Sequence, residues 1–278
     1  VDAFDNIIEI QAVSGDNHLG GKEFNQIIAD DICQQFHMKD LSLDQKKVIL
    51  DYSESIKMGL SSQDEITQLI NLDDTSYSYT ISNKRLRILS EAIFKRMTLP
   101  IQKVINDAEI EITDIDDVVM VGGTTKMPVV REFLEYLFER KIPDPYCPDT
   151  VVCIGSGLVA SIKERCTVIK DYILSDICPF SLGVDIVDDV YSPIIHKNQI
   201  LPCSTEKIYT TVKDNQQTVL FSVYQGENLK ASDNLLISEI KIKIPPAPAG
   251  HIPIYVRFSY DINGIFDVDI RCPNQNIT

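Results

Sequence analysis

The stretch DVVMVGGTTKMPVV, residues 117–130, decides how the chain is read. Val118, Val119, Met120 and Val121 form a continuous apolar run, too short for a helix and rich in β-branched residues. That pattern predicts a strand buried on both faces, as in a parallel sheet. Gly122 and Gly123 allow positive φ and let a ligand come close to the backbone. Pro128 suits the first turn of a helix, and Val129, Val130, Phe133, Leu134 and Leu137 recur at helical spacing to about Arg140. Strand, glycine turn and helix start together make a platform for phosphate or nucleotide, because free N–H groups at a helix start attract negative charge. A plain strand-to-helix turn accounts for the same residues taken alone.

Upstream of this stretch the pattern is mainly helical. Phe24, Ile27, Ile28, Ile32 and Phe36 make one stripe, and Ser42 with Gln45 reads as a capping box for a helix to about Leu60. Glu65–Leu72 and Tyr77–Ile81 read as short strands joined by DDTS. Leu86, Leu89, Ile93, Phe94 and Met97 predict a further helix that Pro100 interrupts or restarts. Val151–Lys163 reads as a helix carrying Gly155 and Gly157 for close packing. Near residue 170 the period changes to two. Ile240, Ile242 and Ile244 alternate with lysines, Val219, Phe221 and Val223 line one face, and Asn263-Gly264 signals a hairpin. The second part is therefore antiparallel β. Between the two lies VIKDYILSDI, residues 168–177, an apolar stretch that has to dock somewhere.

Bulk properties narrow the classes. The chain of 278 residues can hold two domains. A formal net charge of −15 argues against nucleic-acid binding, since phosphate contacts need clustered Lys and Arg. No apolar run reaches the ~18 residues a membrane helix needs, and the opening VDAFDNIIEI has no basic leader and no initiating Met. The cysteines at 33, 147, 153, 166, 178, 203 and 272 are scattered without a CxxC, which predicts reduced thiols and no zinc site. The histidines at 18, 37, 196 and 251 are dispersed too, giving no metal set.

Seven strings, in order, resemble the DnaK-type heat-shock-seventy chaperones over nearly the whole chain. GDNHLGGKEF (15–24) resembles that family's GDxHLGGEDF, and VVMVGGTTKMP its adenosine motif ending GGSTRIP. CPDTVVCIGSGLVAS (147–161) resembles NPDExVAxGAAxxA, and DYILSDICPFSLGVDI (171–186) resembles the linker and first substrate-domain strand, DVLLLDVTPLSLGIE. HKNQILP, DNQQTVLFSVYQGE and IPPAPAG have counterparts in the same order. CPFSLGV and FSYDING are similar to the HscC-like bacterial branch. The resemblance implies an α/β plus β protein: an actin-like ATPase lobe II over residues 1–168, an interdomain linker at 169–178 and an incomplete antiparallel β-sandwich substrate-binding domain over 179–278. It also implies a fragment lacking the N-terminal lobe and the C-terminal lid, since the family's DLGTT and DxGGGTFD phosphate loops and its catalytic Lys have no counterpart here.

Matched position by position, the resemblance puts adenosine and phosphate contacts on Gly20, Gly21, Glu54, Lys57, Ser61, Gly122, Gly123, Thr124, Lys126 and Asp149. Glu54 and Lys57 fit a solvated ion pair on a helix face equally well. Two positions depart from the family, whose arginine pair stacks on adenine: here they are Met58 and Lys126, which lack the planar guanidinium. The peptide cleft is carried over to Val184, Ile186, Val187, Tyr209, Thr210, Val212, Val219 and Phe221. An apolar cleft suits an extended segment, while alternation alone predicts the inner face of a sandwich. Val187 and Val212 fall on the family's arch positions, and Ser175 replaces one Leu of the linker. Asp16 and Asp149 are no catalytic pair by spacing, and no nucleophile motif is present.

The resemblance therefore implies an ATP-dependent chaperone, with ATP or ADP and Mg as cofactors in the intact family and weak or absent nucleotide binding in this chain. Its partners would be unfolded or extended apolar peptides, a J-domain cochaperone and a nucleotide exchange factor, with no nucleic acid and no membrane, in the cytoplasm. Two rivals remain: a nucleotide-independent peptide-binding module, and a lobe of an actin-fold sugar or acetate kinase, which leaves residues 171–270 without a role.

Overall fold

The computed structural model describes residues 1–143, 146–164, 172–272 and 275–277. The chain divides into two units, Ser14–Lys170 and Val1–Val13 with Asp171–Thr278. Each is taken by itself.

The Ser14–Lys170 unit is helical around one hairpin. Helix α1 (Gly21–Gln35) buries Phe24, Ile28 and Ile32, the predicted stripe. Helix α2 (Leu43–Gly59) starts at the capping box: Gln45 N donates to Ser42 Oγ at 3.2 Å, and Ser42 N to Gln45 Oε1 at 2.9 Å. Satisfying two free donors at once stabilises a helix start. The hairpin of β3 (Glu65–Leu72) and β4 (Thr75–Ser82) turns at Asp73, whose φ is +50°. The next helical region is divided at Ser90 into α3 (Asn83–Leu89) and α4 (Glu91–Asp107). Pro100 neither interrupts nor starts a helix: it lies inside α4. The ring removes one N–H donor, and the turns on either side hold the helix continuous. Helix α5 (Pro128–Leu137) begins at Pro128 as expected and ends three residues before Arg140. Helix α6 (Val151–Lys163) has the predicted bounds. The core packs α1, α2, the hairpin and α3–α5 around Ile32, Ile56, Tyr79 and Leu86.

Two expectations for this unit fail. Residues 117–121 form no strand, and no strand of the described residues pairs with them. Met120 is buried, while Val119 is 62% and Val121 45% exposed, so only one side is covered. A parallel strand buried on both faces needs neighbours in a ladder, and among the described residues of this unit the β3–β4 hairpin is the one ladder. Gly155 and Gly157 do not serve close packing. No atom lies within 4 Å of a Cβ placed on either, and α6 buries none of its residues.

The described residues of the other unit are mainly β, with short 3-10 turns at Val187–Asp189 and Ala231–Asp233. β1 (Asp2–Phe4) and β2 (Ile7–Glu9) form a hairpin, and β5 (Ile173–Ser175) adds to β2 in parallel, with Ile7 opposite Ile173. The apolar stretch after residue 170 thus docks by strand addition, although residues 165–171 lie outside the described set. This ladder is why residues 1–13 fall with the second unit rather than with the lobe assigned to 1–168. One four-stranded sheet runs β10-β9-β6-β7, built from β6 (Leu182–Ile186), β7 (Val190–Ile195), β9 (Thr218–Gln225) and β10 (Leu235–Lys243). A second runs β13-β12-β11-β8, from β8 (Cys203–Thr210), β11 (Pro253–Tyr260), β12 (Phe266–Cys272) and β13 (Gln275–Ile277). Both contribute to one core: Val184, Phe221, Val223 and Ile242 from the first, Ile254, Val256, Phe258 and Ile270 from the second. The Asn263-Gly264 hairpin joins β11 to β12, with Gly264 at φ +76° and the N–H groups of Asn263 and Ile265 both donating to Asp261 Oδ1 at 2.8 Å.

Candidate nucleotide and peptide sites

The nucleotide residues predicted from sequence lie on three starting points in the Ser14–Lys170 unit: the loop into α1, the last turns of α2 and the turn before α5. Gly20 N donates to Glu23 Oε2 at 2.6 Å, which caps α1. Lys57 reaches across from α2, and its Nζ donates to the Gly21 carbonyl at 3.2 Å. A Cβ on Gly21 would stand 3.1 Å from Lys57 Nζ and 3.2 Å from Thr124 Oγ1. Gly21, Lys57 and Thr124, separated by up to about a hundred residues in sequence, therefore converge, and a side chain at 21 would crowd both neighbours. Ser61 Oγ donates to the Lys57 carbonyl at 3.4 Å, while Glu54 is exposed.

The turn itself is shaped by Gly122, whose φ of +90° excludes other residues at low cost. Gly122 N donates to the Pro148 carbonyl at 3.2 Å, and Thr125 Oγ1 returns a bond to the Gly122 carbonyl at 2.7 Å. Lys126 pairs with Asp149, and Asp149 Oδ1 lies 3.8 Å from the Cβ position of Gly123. The turn and the 147–150 segment thus hold each other through main chain and charge. The hydrogen bond to Asp149 holds the Lys126 ammonium above its ordinary range, and the Cys147 thiol is held below its own by the Asp149 N–H and the Thr150 side chain. Met58 is 66% exposed, a thioether where the family has a guanidinium. Asp16 and Asp149 are not a carboxylate pair: each binds its own cation, Arg96 and Lys126.

Arg96 was not found by sequence reasoning. On α4 it looks like any charged residue of an amphipathic helix, and nothing local reveals that it reaches the loop before Gly20. Its Nη2 donates to Asp16 Oδ2 at 2.6 Å and to the His18 carbonyl at 2.9 Å.

The cleft residues divide by depth. Val184 and Phe221 lie inside the sandwich core, and Tyr209 packs its edge on Phe221 at 6.0 Å between ring centroids. Tyr209 and Ser192 share a hydroxyl hydrogen bond of 2.9 Å between β8 and β7. Burial, offset only in part by Ser192, pushes the Tyr209 phenol upward. Val219 is half-buried opposite Ile242 on β10. Ile186, Val187, Thr210 and Val212 are exposed around the ends of β6 and β8. The 187–189 turn carries Asp188 at φ +64° and is tied back by Asp189, which accepts from Ser232 N at 3.0 Å and Ser232 Oγ at 2.5 Å.

A family model described as Hsp70 protein matches residues 3–277. The chain belongs to the Hsp70 family. It is also 31% identical over 281 residues to a protein named Chaperone protein DnaK from Deinococcus deserti, an alignment covering 96% of this chain and 45% of that protein. The chain thus spans less than half the length of this curated relative. The Hsp70 match runs through both units, so the residues expected for nucleotide and for peptide both fall inside it. Among the described residues, no helix is long and apolar enough to cross a membrane, and no group of three His, Cys, Asp or Glu side chains is placed to hold a metal.

Proposed function

We propose that the chain carries two binding activities of an ATP-dependent Hsp70 chaperone. The Ser14–Lys170 unit acts as lobe II of an actin-like nucleotide domain and binds an adenine nucleotide weakly. The sandwich unit binds extended apolar segments of unfolded proteins. The observation that carries the nucleotide reading is the convergence of Gly21, Lys57 and Thr124 beside the turn that Lys126 and Asp149 fasten. Backbone at Gly20–Gly21 would face the phosphates, with Gly122, Gly123, Glu54 and Ser61 on the nucleoside side. Mg would come with the phosphates, and catalysis of phosphoryl transfer is mostly positioning and charge stabilisation around them. Within these 278 residues no DLGTT or GGGTFD string supplies that clamp, so the chain by itself does not hydrolyse ATP. A J-domain cochaperone and an exchange factor would act on the nucleotide cycle. The β5 strand, added to β2 through main-chain bonds, is the element whose docking would signal nucleotide state.

A nucleotide-independent peptide-binding module is the second reading, favoured by exposed Met58 and by a Lys126 already engaged with Asp149. Titration with ADP separates the two. On the proposed reading, ADP shifts the amide signals of Gly20, Gly21 and Gly122 at concentrations well above micromolar. No shift at any of them leaves the module reading. Peptide binding is read separately, by anisotropy of a fluorescent Leu-rich peptide. Val219→Phe fills the edge of the pocket beside Phe221 and abolishes the change; an unaltered anisotropy would mean that these residues are core alone.

A further inference from the structure

The loop from Ser14 to Gly20 has no regular structure of its own, yet it sets the position of the glycines on the phosphate side. It is held from one side by Arg96. Besides the two bonds given above, Asp16 Oδ1 accepts from His18 N at 2.8 Å, and Leu19 N donates to the Asp16 carbonyl at 3.2 Å. One guanidinium therefore grips both a side chain and a main-chain carbonyl of the same tight loop. The hydrogen bond from Arg96 holds the Asp16 carboxyl below its usual range. From the other side Lys57 holds the Gly21 carbonyl. Lys57 and Thr124 both stand close to Gly21, so there is little slack where the loop enters α1.

We propose that Arg96 is the positioning residue for the phosphate side of this site, holding the 14–20 loop so that Gly20 and Gly21 present their backbone to the nucleotide's phosphates. The proposal rests on the nucleotide reading above. Arg96 acts through Asp16 and His18 and needs no contact with the ligand. A plain surface ion pair would make the loop no better ordered, because exposed pairs contribute little; the second bond, to the His18 carbonyl, is what fixes main chain. Lysine cannot replace it fully, since one ammonium is a point donor without the planar fork.

The test titrates the full chain and its Arg96→Met and Arg96→Lys variants with ADP and with adenosine, following the amide signals of Gly20, Gly21 and Gly122. Partners that orient the ligands of a metal cost ~10–100-fold when removed, and a residue that orients backbone donors toward phosphate is placed at the low end of that range, about tenfold. Arg96→Met is expected to weaken ADP by about that factor and leave adenosine unchanged, with Arg96→Lys in between. Wild-type ADP affinity in Arg96→Met overturns the proposal and leaves the nucleotide reading standing. Equal weakening of ADP and adenosine, in both variants, reveals general damage and also overturns it. No signal change in the wild-type chain with either ligand removes the nucleotide reading, and the positioning role with it.

Discussion

Substituting Tyr79 by Phe tests the polar centre of the helical unit. Tyr79 is fully buried, and its hydroxyl donates to Asp31 Oδ2 at 2.7 Å. Asp31, on α1, is 6% exposed, and its other oxygen accepts from Arg85 Nη2 on α3 at 2.6 Å. One carboxylate thus joins α1, β4 and α3. Removing the hydroxyl leaves a buried carboxylate oxygen with nothing to accept from. A hydrogen bond to a charged group contributes about 1.5–3 kcal/mol, so Tyr79→Phe should cost about 2 kcal/mol, or about 4–8 °C in the midpoint of a unit this size. Circular dichroism at 222 nm follows this unit selectively, because α1–α6 all lie in it. The pH dependence gives a second signature. Burial first, and the bond to Asp31 next, push the Tyr79 phenol far up. An unfolded tyrosine loses its proton near pH ~10, so above that pH the unfolded chain binds fewer protons than the folded one. Stability then falls by up to about 1.4 kcal/mol per pH unit. The contribution is whole below pH ~10 and lost above it. Phenylalanine has no such proton, so the gap between wild type and variant should narrow between pH 9 and 11. Tyr191, Tyr209 and Tyr260 are also raised, chiefly by burial, but are common to both proteins and cancel. A loss under about 0.5 kcal/mol, the level of an ordinary surface change, or a constant gap across that range, refutes the argument.

Other outcomes follow from the same structure. Incubated with ATP and Mg, the chain should release phosphate no faster than buffer; steady release that disappears on mutating Lys57 or Asp149 would contradict the proposed half-site. Met58→Arg with Lys126→Arg should tighten ADP binding in calorimetry by restoring guanidinium planes, and no gain would mean the adenine position is wrongly carried over. Gly183→Ala should destabilise the sandwich by about 1–3 kcal/mol, because its Cβ would sit 2.2 Å from the Ser192 carbonyl and 2.7 Å from Pro193 Cα, both backbone atoms of β7. Unchanged urea unfolding of that variant would show that the β6–β7 pairing has room to relax.

Local chemistry made much of the fold readable. The Ser42–Gln45 box, the Phe24–Ile28–Ile32 stripe, the bounds of α6 and the Asn263-Gly264 hairpin each depend on residues a few positions apart, and each is found where expected. What failed depended on neighbours. The run 118–121 has the composition of a two-sided buried strand, but composition reports only what a neighbouring strand would cover, and none of the described strands pairs with it. The glycines of α6 have the same defect as evidence: small residues permit close approach and do not supply the partner. The pairing of residues 7–9 with Ile173–Ser175 could not be read from sequence, because a parallel ladder leaves no mark in either segment.

The same distinction divides the candidate sites. Gly122 and Gly123 stand out in the sequence because a double glycine between an apolar run and a helix start marks a turn, whereas Gly20 and Gly21 are selected only through the resemblance. Lys57 is selected through the resemblance, but its partner is not: the structure gives its ammonium to the Gly21 carbonyl, 36 residues back in the chain. Arg96 could not be selected, since its value lies wholly in reaching a loop nearly eighty residues away in sequence. Ser175 makes the converse point: a hydroxyl in place of a Leu lowers the hydropathy of this stretch. In the structure the strand adds through main chain, with Ser175 O accepting from Ile10 N at 3.0 Å and Ile173 N donating to Asn6 O at 2.8 Å, while Ile173 and Leu174 stay largely exposed. Strand addition of this kind is indifferent to a single hydroxyl and sensitive to proline, which removes a ladder donor. The pairing of β5 with β2 is therefore written in main-chain hydrogen bonds that hydropathy does not register.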